Sequence, residues 1–216
     1  MKLTAKPGKG EKIHLSLDGE YIATVNADYW FTCGIKSGSE VTPEQLEELL
    51  TESARRKMMN KALDLLSLRD YSRRELSDKL VTKAWEKKEQ KDMDLGSLKQ
   101  QASDICDRLE ELGLVDDGRY ARRYTADLIN LKHLSPRGVR QKLFEKGIDR
   151  DLIDEILGEV TIDEKAQIRA IIEKKYARAL TDEKGQRRCA NALARLGFSY
   201  GDIKSVMREY IELSEE

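Results

Sequence analysis

The chain has 216 residues, of which 37% are charged and 39% hydrophobic, and its formal net charge is -1. Three prolines and this charge density describe a helix-rich chain with much solvated surface, long enough for one large domain or two or three small ones. Bulk electrostatic attraction to nucleic acid is excluded, and no apolar run approaches the roughly 20 residues that span a bilayer.

Met1–Lys6 leads into charge rather than an apolar stretch, so no secretory signal is expected. Ile13, Leu15 and Leu17 alternate with polar residues, Asp18-Gly19 follows, and Tyr21, Ala23 and Val25 alternate again. Asp-Gly between two alternating runs predicts a hairpin with a type I′ turn, which needs positive φ at both central residues. Asn26 is placed to cap a short helix through Tyr29-Trp30-Phe31. A lone hairpin is marginal in water, and Trp30, Phe31 and Ile35 are the expected contacts to the first long helix. That helix opens at Thr42-Pro43-Glu44-Gln45, with Thr42 as cap, Pro43 at the first position and Gln45 closing a capping box. Leu46, Leu49 and Leu50 form its apolar face. A separate second helix is expected from about Ser53, on the helical spacing of Met58, Met59, Ala62, Leu65 and Leu66, ending near Arg69-Asp70-Tyr71.

A pattern then returns. Ser72-Arg73-Arg74-Glu75-Leu76-Ser77-Asp78-Lys79-Leu80 is echoed by Ser135-Pro136-Arg137-Gly138-Val139-Arg140-Gln141-Lys142-Leu143, with Ser first, Arg third, an aliphatic residue fifth and Lys-Leu last. A weaker copy runs from Gly185 to Leu193, and the offsets are 63 and 50 residues. Such self-similarity predicts stacked helical units, none of which buries its apolar face alone. Ser72 caps with Glu75 in a capping box; Ser135 caps with Pro136 at the first position; Gly147 stops that helix. Ile148, Leu152, Ile153, Ile156 and Leu157 form the third helix of the second unit. The first copy has Ala84 where the others have Gly147 and Gly197. The polar stretch Trp85–Asp92 after it reads as a helix extension or a loop before a helix at about Leu95–Leu112. The third copy lacks the capping Ser and reads Asp182-Glu183-Lys184-Gly185, as terminal repeats often differ. Between the first two units Gly113 ends a helix, Leu114 and Val115 fill the seam, and an Asp caps the next helix. Asp116 and Asp117 read as a cap plus a dipole contact rather than a metal or catalytic pair. The expected domains are 1–52 (hairpin and short helices) and three helical repeats at 53–117, 118–160 and 161–216.

Charge alternates with the repeat: -4 over 1–52, +6 over 53–91, -6 over 92–117, +6 over 118–150, -6 over 151–164, +7 over 165–208 and -4 beyond. Two readings stay open, pairing between neighbouring segments and a basic stripe aimed at an acidic polymer or an acidic protein groove. Candidate contact residues are Arg69, Arg73, Arg74, Lys79 and Lys83 in the first repeat. In the second they are Arg119, Arg122, Arg123, Arg137, Arg140, Lys142 and Lys146. Cys33, Cys106 and Cys189 are widely spaced, without a Cys-x-x-Cys, and His14 and His133 lack a partner at ligand spacing. Unpaired thiols in a reducing cytoplasm are expected, with no metal and no cofactor. Phosphate-cradling loops, a nucleophile elbow and a His-Glu-x-x-His pair are missing from the sequence, so no enzyme is expected.

The Asp18-Gly19-Glu20-Tyr21 hairpin, Ala62-Leu63 with Leu65-Leu66, the Ser72–Leu80 block, Leu112-Gly113 with Asp116-Asp117 and Tyr120-Ala121, and the Leu143–Gly147 turn resemble, in that order, the RecX family of RecA recombinase regulators. The resemblance covers most of the chain. It implies a mainly α fold, an elongated, right-handed tandem array of three-helix repeats with a short N-terminal β-hairpin. It also implies a non-enzymatic protein of DNA repair, recombination and the SOS response; the unpaired thiols predict a cytoplasmic location and the polar, unbroken array a monomer. Such a protein lies along the groove of the RecA–DNA filament and restrains recombination, ATPase and coprotease activities. The basic residues named above would meet the filament or DNA. Departures from the family pattern are Ala84 and the stretch Ala194-Arg195-Leu196-Gly197-Phe198, less basic than in many members. The alternative is a helical module that binds single- or double-stranded DNA through the same side chains; the few aromatics available for base stacking weigh against it.

Overall fold

The computed structural model describes residues 1–86 and 94–215. Lys87–Asp92, the greater part of the polar stretch after Ala84, lies outside the described residues. The described chain is mostly helical, behind a small antiparallel sheet. It divides into two compact units, Met1–Asp70 with Leu76–Val115, and Tyr71–Glu75 with Asp116–Glu216.

In the first unit the expected hairpin forms from β2 (Lys12–Leu17) and β3 (Glu20–Asn26). Asp18 (φ 48°) and Gly19 (φ 95°) both have positive φ, as the turn demands. A third strand, β1 (Leu3–Pro7), lies antiparallel to β2 and was not anticipated. Its segment offers only Leu3 to the core. It is held by bonds from distant backbone: Leu3 N donates to Ser39 O (2.9 Å) and Gly38 N to Leu3 O (2.7 Å). Leu3, Ile13, Leu15, Ala23 and Val25 form the inner face and pack with Trp30, Val41 and Leu49. Trp30 belongs to α1 (Ala27–Thr32); Phe31, expected as a contact, is instead 78% exposed.

The two helices expected from Thr42 and Ser53 are one, α2 (Pro43–Leu66). No Gly or Pro interrupts it, and Thr51 and Ser53 are only mildly poor helix formers, so propagation wins over a break. Ser53 is buried, and its hydroxyl accepts the Thr24 amide (3.2 Å), which ties the helix to the edge of the sheet. The capping box of Thr42 and Gln45 is present. Of the expected apolar face, Leu49 is buried while Leu50 is 43% exposed. Also here are most of α3 (Arg73–Glu86) and α4 (Leu95–Glu111), whose Leu98, Ala102, Ile105, Cys106 and Leu109 are buried. Val115 is buried as expected, whereas Leu114 remains 45% exposed.

The second unit holds α5 (Asp117–Asn130), α6 (Pro136–Glu145) and α7 (Arg150–Gly158), then α8 (Glu164–Lys175), a 3-10 turn at Ala177–Ala179, α9 (Glu183–Arg195) and α10 (Tyr200–Glu215). Each helical trio has its own core. Tyr120, Leu128, Val139, Leu143, Ile153 and Ile156 form one; Ile168, Ile172, Cys189, Leu193, Ile203 and Val206 form the other. Leu196 packs against both.

One joint appears twice in this unit. Ser135 caps α6 by accepting Gly138 N (3.2 Å), while Ser135 N donates to Leu196 O (3.0 Å) at the end of α9. Ser72 accepts Glu75 N (3.2 Å) at the start of α3 and donates to Lys146 O (2.6 Å) at the end of α6. Each buried serine therefore starts one helix and receives the C-terminal turn of the next repeat. The glycine after that turn is required twice over. Gly147 and Gly197 have φ of 77° and 94°. A Cβ on Gly147 would lie 2.5 Å from Arg74 Cβ, and one on Gly197 2.6 Å from Ser135 Oγ. The third copy keeps the cap without the serine: Asp182 accepts Gly185 N (2.7 Å) at the start of α9. Ala84 lies inside α3, which continues to Glu86 instead of turning.

Candidate partner-binding surface

The twelve basic residues singled out by sequence fall in very different settings. Counted from the caps, Arg74 and Arg137 are equivalent, as are Lys79 and Lys142, and Lys83 and Lys146. Arg73 is half-buried at the start of α3, where its amide donates to Asp117 Oδ1 (2.8 Å). Burial pushes the Asp117 carboxyl above its ordinary range, with the bond from Arg73 opposing it. Asp116 is the cap of α5, accepting Arg119 N (2.8 Å). The adjacent acids thus serve two helix starts. Arg74 lies over Gly147. Arg69 donates to Asp70 O (2.9 Å), and Lys83 pairs with Glu86 (2.7 Å). Lys79, Arg119 and Arg123 are exposed.

Several second-repeat cations are engaged within the unit. Arg122 on α5 pairs with Glu155 (2.5 Å) and Glu159 (3.3 Å) from α7, and these contacts, Glu159 first, raise its pKa. Arg140 pairs with Asp154, and Lys142 with Glu145 (2.7 Å). Lys146 meets Glu75 (2.8 Å), whose other oxygen is 3.5 Å from the Tyr120 hydroxyl. The Arg122 clamp recurs in the third repeat: Arg169 on α8 pairs with Glu209 on α10 (3.0 Å). First and third helices are pinned the same way in both trios, which marks Arg122 as a structural contact. Arg137 differs. It is exposed in the first turn of α6 and has no carboxylate within ion-pair distance among the described residues.

None of the contact residues expected from the sequence lies in the third repeat. There, Lys184, Arg188 and Arg195 run along one side of α9 at spacings of four and seven, and all are exposed. Among the described residues none of the three has an ion-pair partner. The sequence carried the signal, since 165–208 has the largest positive balance of any segment. The repeat pattern drew attention to the serine-led blocks instead. Two clefts also lie on the surface of the described residues. One, of about 460 Å³, is acidic and lies between Tyr29 and Glu44, Glu48 and Glu52 in the first unit. The other, of about 300 Å³, lies between α5 and α7 in the second. Among the described residues no cluster of His, Cys, Asp or Glu could hold a metal, and no helix is long and apolar enough to cross a membrane.

Family models for the first, second and third three-helix domains of RecX match residues 59–89, 116–157 and 163–207, together more than half of the chain. A protein named regulatory protein RecX from Clostridioides difficile is 24% identical over 99% of this chain and 96% of its own length. Its namesake in Caldanaerobacter subterraneus is 27% identical over 72% of each. The fold is similar to a crystal structure of regulatory protein RecX (TM-score 0.65, 24% identity, 95% of this chain and 96% of that one). It is also similar to RecX from Lactobacillus salivarius (TM-score 0.55, 26% identity, 74% and 97%). With its three trios of helices and the repeated serine–glycine joint, the chain belongs to the RecX family of regulatory proteins.

Proposed function

We propose that this chain is a non-enzymatic regulator, mainly an inhibitor, of RecA recombinase. It acts as a monomer in the cytoplasm, along the groove of the RecA–DNA filament, and modulates recombination, ATPase and SOS coprotease activity. Family membership supports the partner. The observation that carries the mode of binding is the exposed cationic side of α9, together with Arg137 on α6, free of internal partners among the described residues. Tandem repeats engage several subunits of a polymer at once, which favours the assembled filament over free subunits through effective concentration. The other candidates, Arg69, Arg73, Arg74, Lys79, Lys83, Arg119, Arg122, Arg123, Arg140, Lys142 and Lys146, are further basic residues proposed to meet the filament or DNA. DNA-stimulated ATP hydrolysis by purified recombinase is expected to fall as this protein is added. Unchanged hydrolysis and strand exchange at saturating protein would remove the reading.

The spacing of Lys184, Arg188 and Arg195 also suits phosphates, so direct DNA binding is the second reading. It requires tight, steeply salt-dependent binding to free oligonucleotide without recombinase.

A further inference from the structure

The cleft between α5 and α7 has an aliphatic floor of Ile129, Ile156 and Val160, with Ala126 on its solvent side. Thr125 lines it, is only 2% exposed, and among the described residues its hydroxyl has no hydrogen-bond partner. The fold does not need that hydroxyl. Counting from the equivalent caps Asp116 and Asp163, the third repeat has Ile172 at this place, fully buried. A buried hydroxyl with nothing to bond is disfavoured, and few such groups persist without a reason.

Electrostatics identify the class of occupant. α5 ends at Asn130 and α7 at Gly158, so the carbonyl ends of two helices border the cleft. Arg122 and Glu159 line the cleft and Glu155 bonds the same guanidinium, so the three together carry one net negative charge beside it. An aliphatic floor beneath a negative rim matches a side chain with a hydrocarbon stem and a cationic head. We propose that this cleft receives a lysine or arginine side chain presented by a partner protein, with the Thr125 hydroxyl accepting a hydrogen bond from the head group. That the partner is the recombinase rests on the function proposed above; the chemistry of the cleft does not.

The test uses the full chain, isotopically labelled, titrated with N-acetyl-arginine methylamide and, as the uncharged control, N-acetyl-norleucine methylamide. Amide shifts confined to Thr125–Asn130 and Ile156–Val160, several-fold weaker with the norleucine compound, are expected. Equal response to both, or no localised response, overturns the proposal. Ala126 is exposed on α5, so Ala126→Phe plugs the cleft from the solvent side. It should abolish the shifts and weaken co-sedimentation with recombinase-coated single-stranded DNA at least tenfold, at unchanged circular dichroism. Thr125→Val keeps the shape, loses the hydroxyl, and should lower affinity for the arginine compound several-fold even if Ala126→Phe folds poorly. If the wild type ignores the filament yet shows the arginine shifts, the recombinase reading fails and the cleft stands. If the wild type sediments with the filament and a well-folded Ala126→Phe variant that has lost the arginine shifts sediments equally, the recombinase is not the partner that fills the cleft.

Discussion

Gly147 and Gly197 occupy the same turn in successive repeats, yet substituting them has different consequences. Alanine at either site must adopt the left-handed region, at about 1–2 kcal/mol. At Gly147 the added methyl meets Arg74, whose Cγ and Cδ can swing away but whose Cβ, 2.5 Å off, cannot; at Gly197 it meets the Gly138 backbone and the Ser135 hydroxyl. Gly147→Ala should therefore cost about 2 kcal/mol and Gly197→Ala about 3 kcal/mol or more, read by urea unfolding. Arg74→Ala should recover part of the first loss and none of the second. Asp117 adds a pH signature. Its carboxyl is raised by burial, so the folded state holds that proton more tightly than the unfolded chain. Its contribution to stability is then lost as pH rises from 3.8 through the folded value. Asp117→Asn keeps an acceptor for Arg73 N, and should be neutral or stabilising by less than about 1 kcal/mol at pH 7, with no gain below pH 3.8. Cys189 is fully buried, and burial lifts its thiol pKa to about 11. Alkylation at pH 8 should therefore label half-buried Cys33 first and reach Cys189 only when the third repeat opens; early labelling of Cys189 would contradict its burial.

At the level of elements, α2 is where local reading and structure part most clearly. A polar stretch around Thr51-Glu52-Ser53 looks like a break, but it lies where the helix crosses the sheet and Ser53 bonds Thr24 N. If α2 is continuous, Ser53→Pro removes a helical hydrogen bond in its middle and costs about 3 kcal/mol or more. Two separate helices starting near Ser53 would tolerate that proline, and thermal melting distinguishes the cases. Elements announced by chemistry within a few residues were legible: the Asp18-Gly19 turn, the Thr42-Gln45 box, the Ser135 cap and the Gly147 stop. β1 was not, because it is held by backbone from residues 38–41 and offers one core side chain. The serine-led repeat was legible as a pattern, but its reason was not. The second bond of each serine goes to a carbonyl 74 or 61 residues away in sequence.

For the molecule as a whole, a net charge of -1 conceals how differently the repeats use their cations. In the second repeat Arg122, Arg140 and Lys142 face carboxylates in exposed pairs, which contribute little to stability while cancelling the field that would draw in a partner, and Lys146 is held in a half-buried pair with Glu75. In the third, Lys184, Arg188 and Arg195 keep theirs. The sequence carried the alternation of charge but not which charges cancel, because Arg122 meets Glu155 and Glu159 across 33 and 37 residues. Filament association, if driven by unspent charge, should respond to the third repeat first. Reversing Arg188 and Arg195 together to Glu should slow association and flatten its salt dependence, with at least tenfold weaker co-sedimentation on recombinase-coated DNA. Reversing Glu155 and Glu159 to Lys releases Arg122 and adds positive charge to the second repeat. A double variant that binds the filament more tightly through the second repeat would show that internal pairing is what keeps its arginines out of the contact; weaker binding would show instead that the acidic rim is itself used.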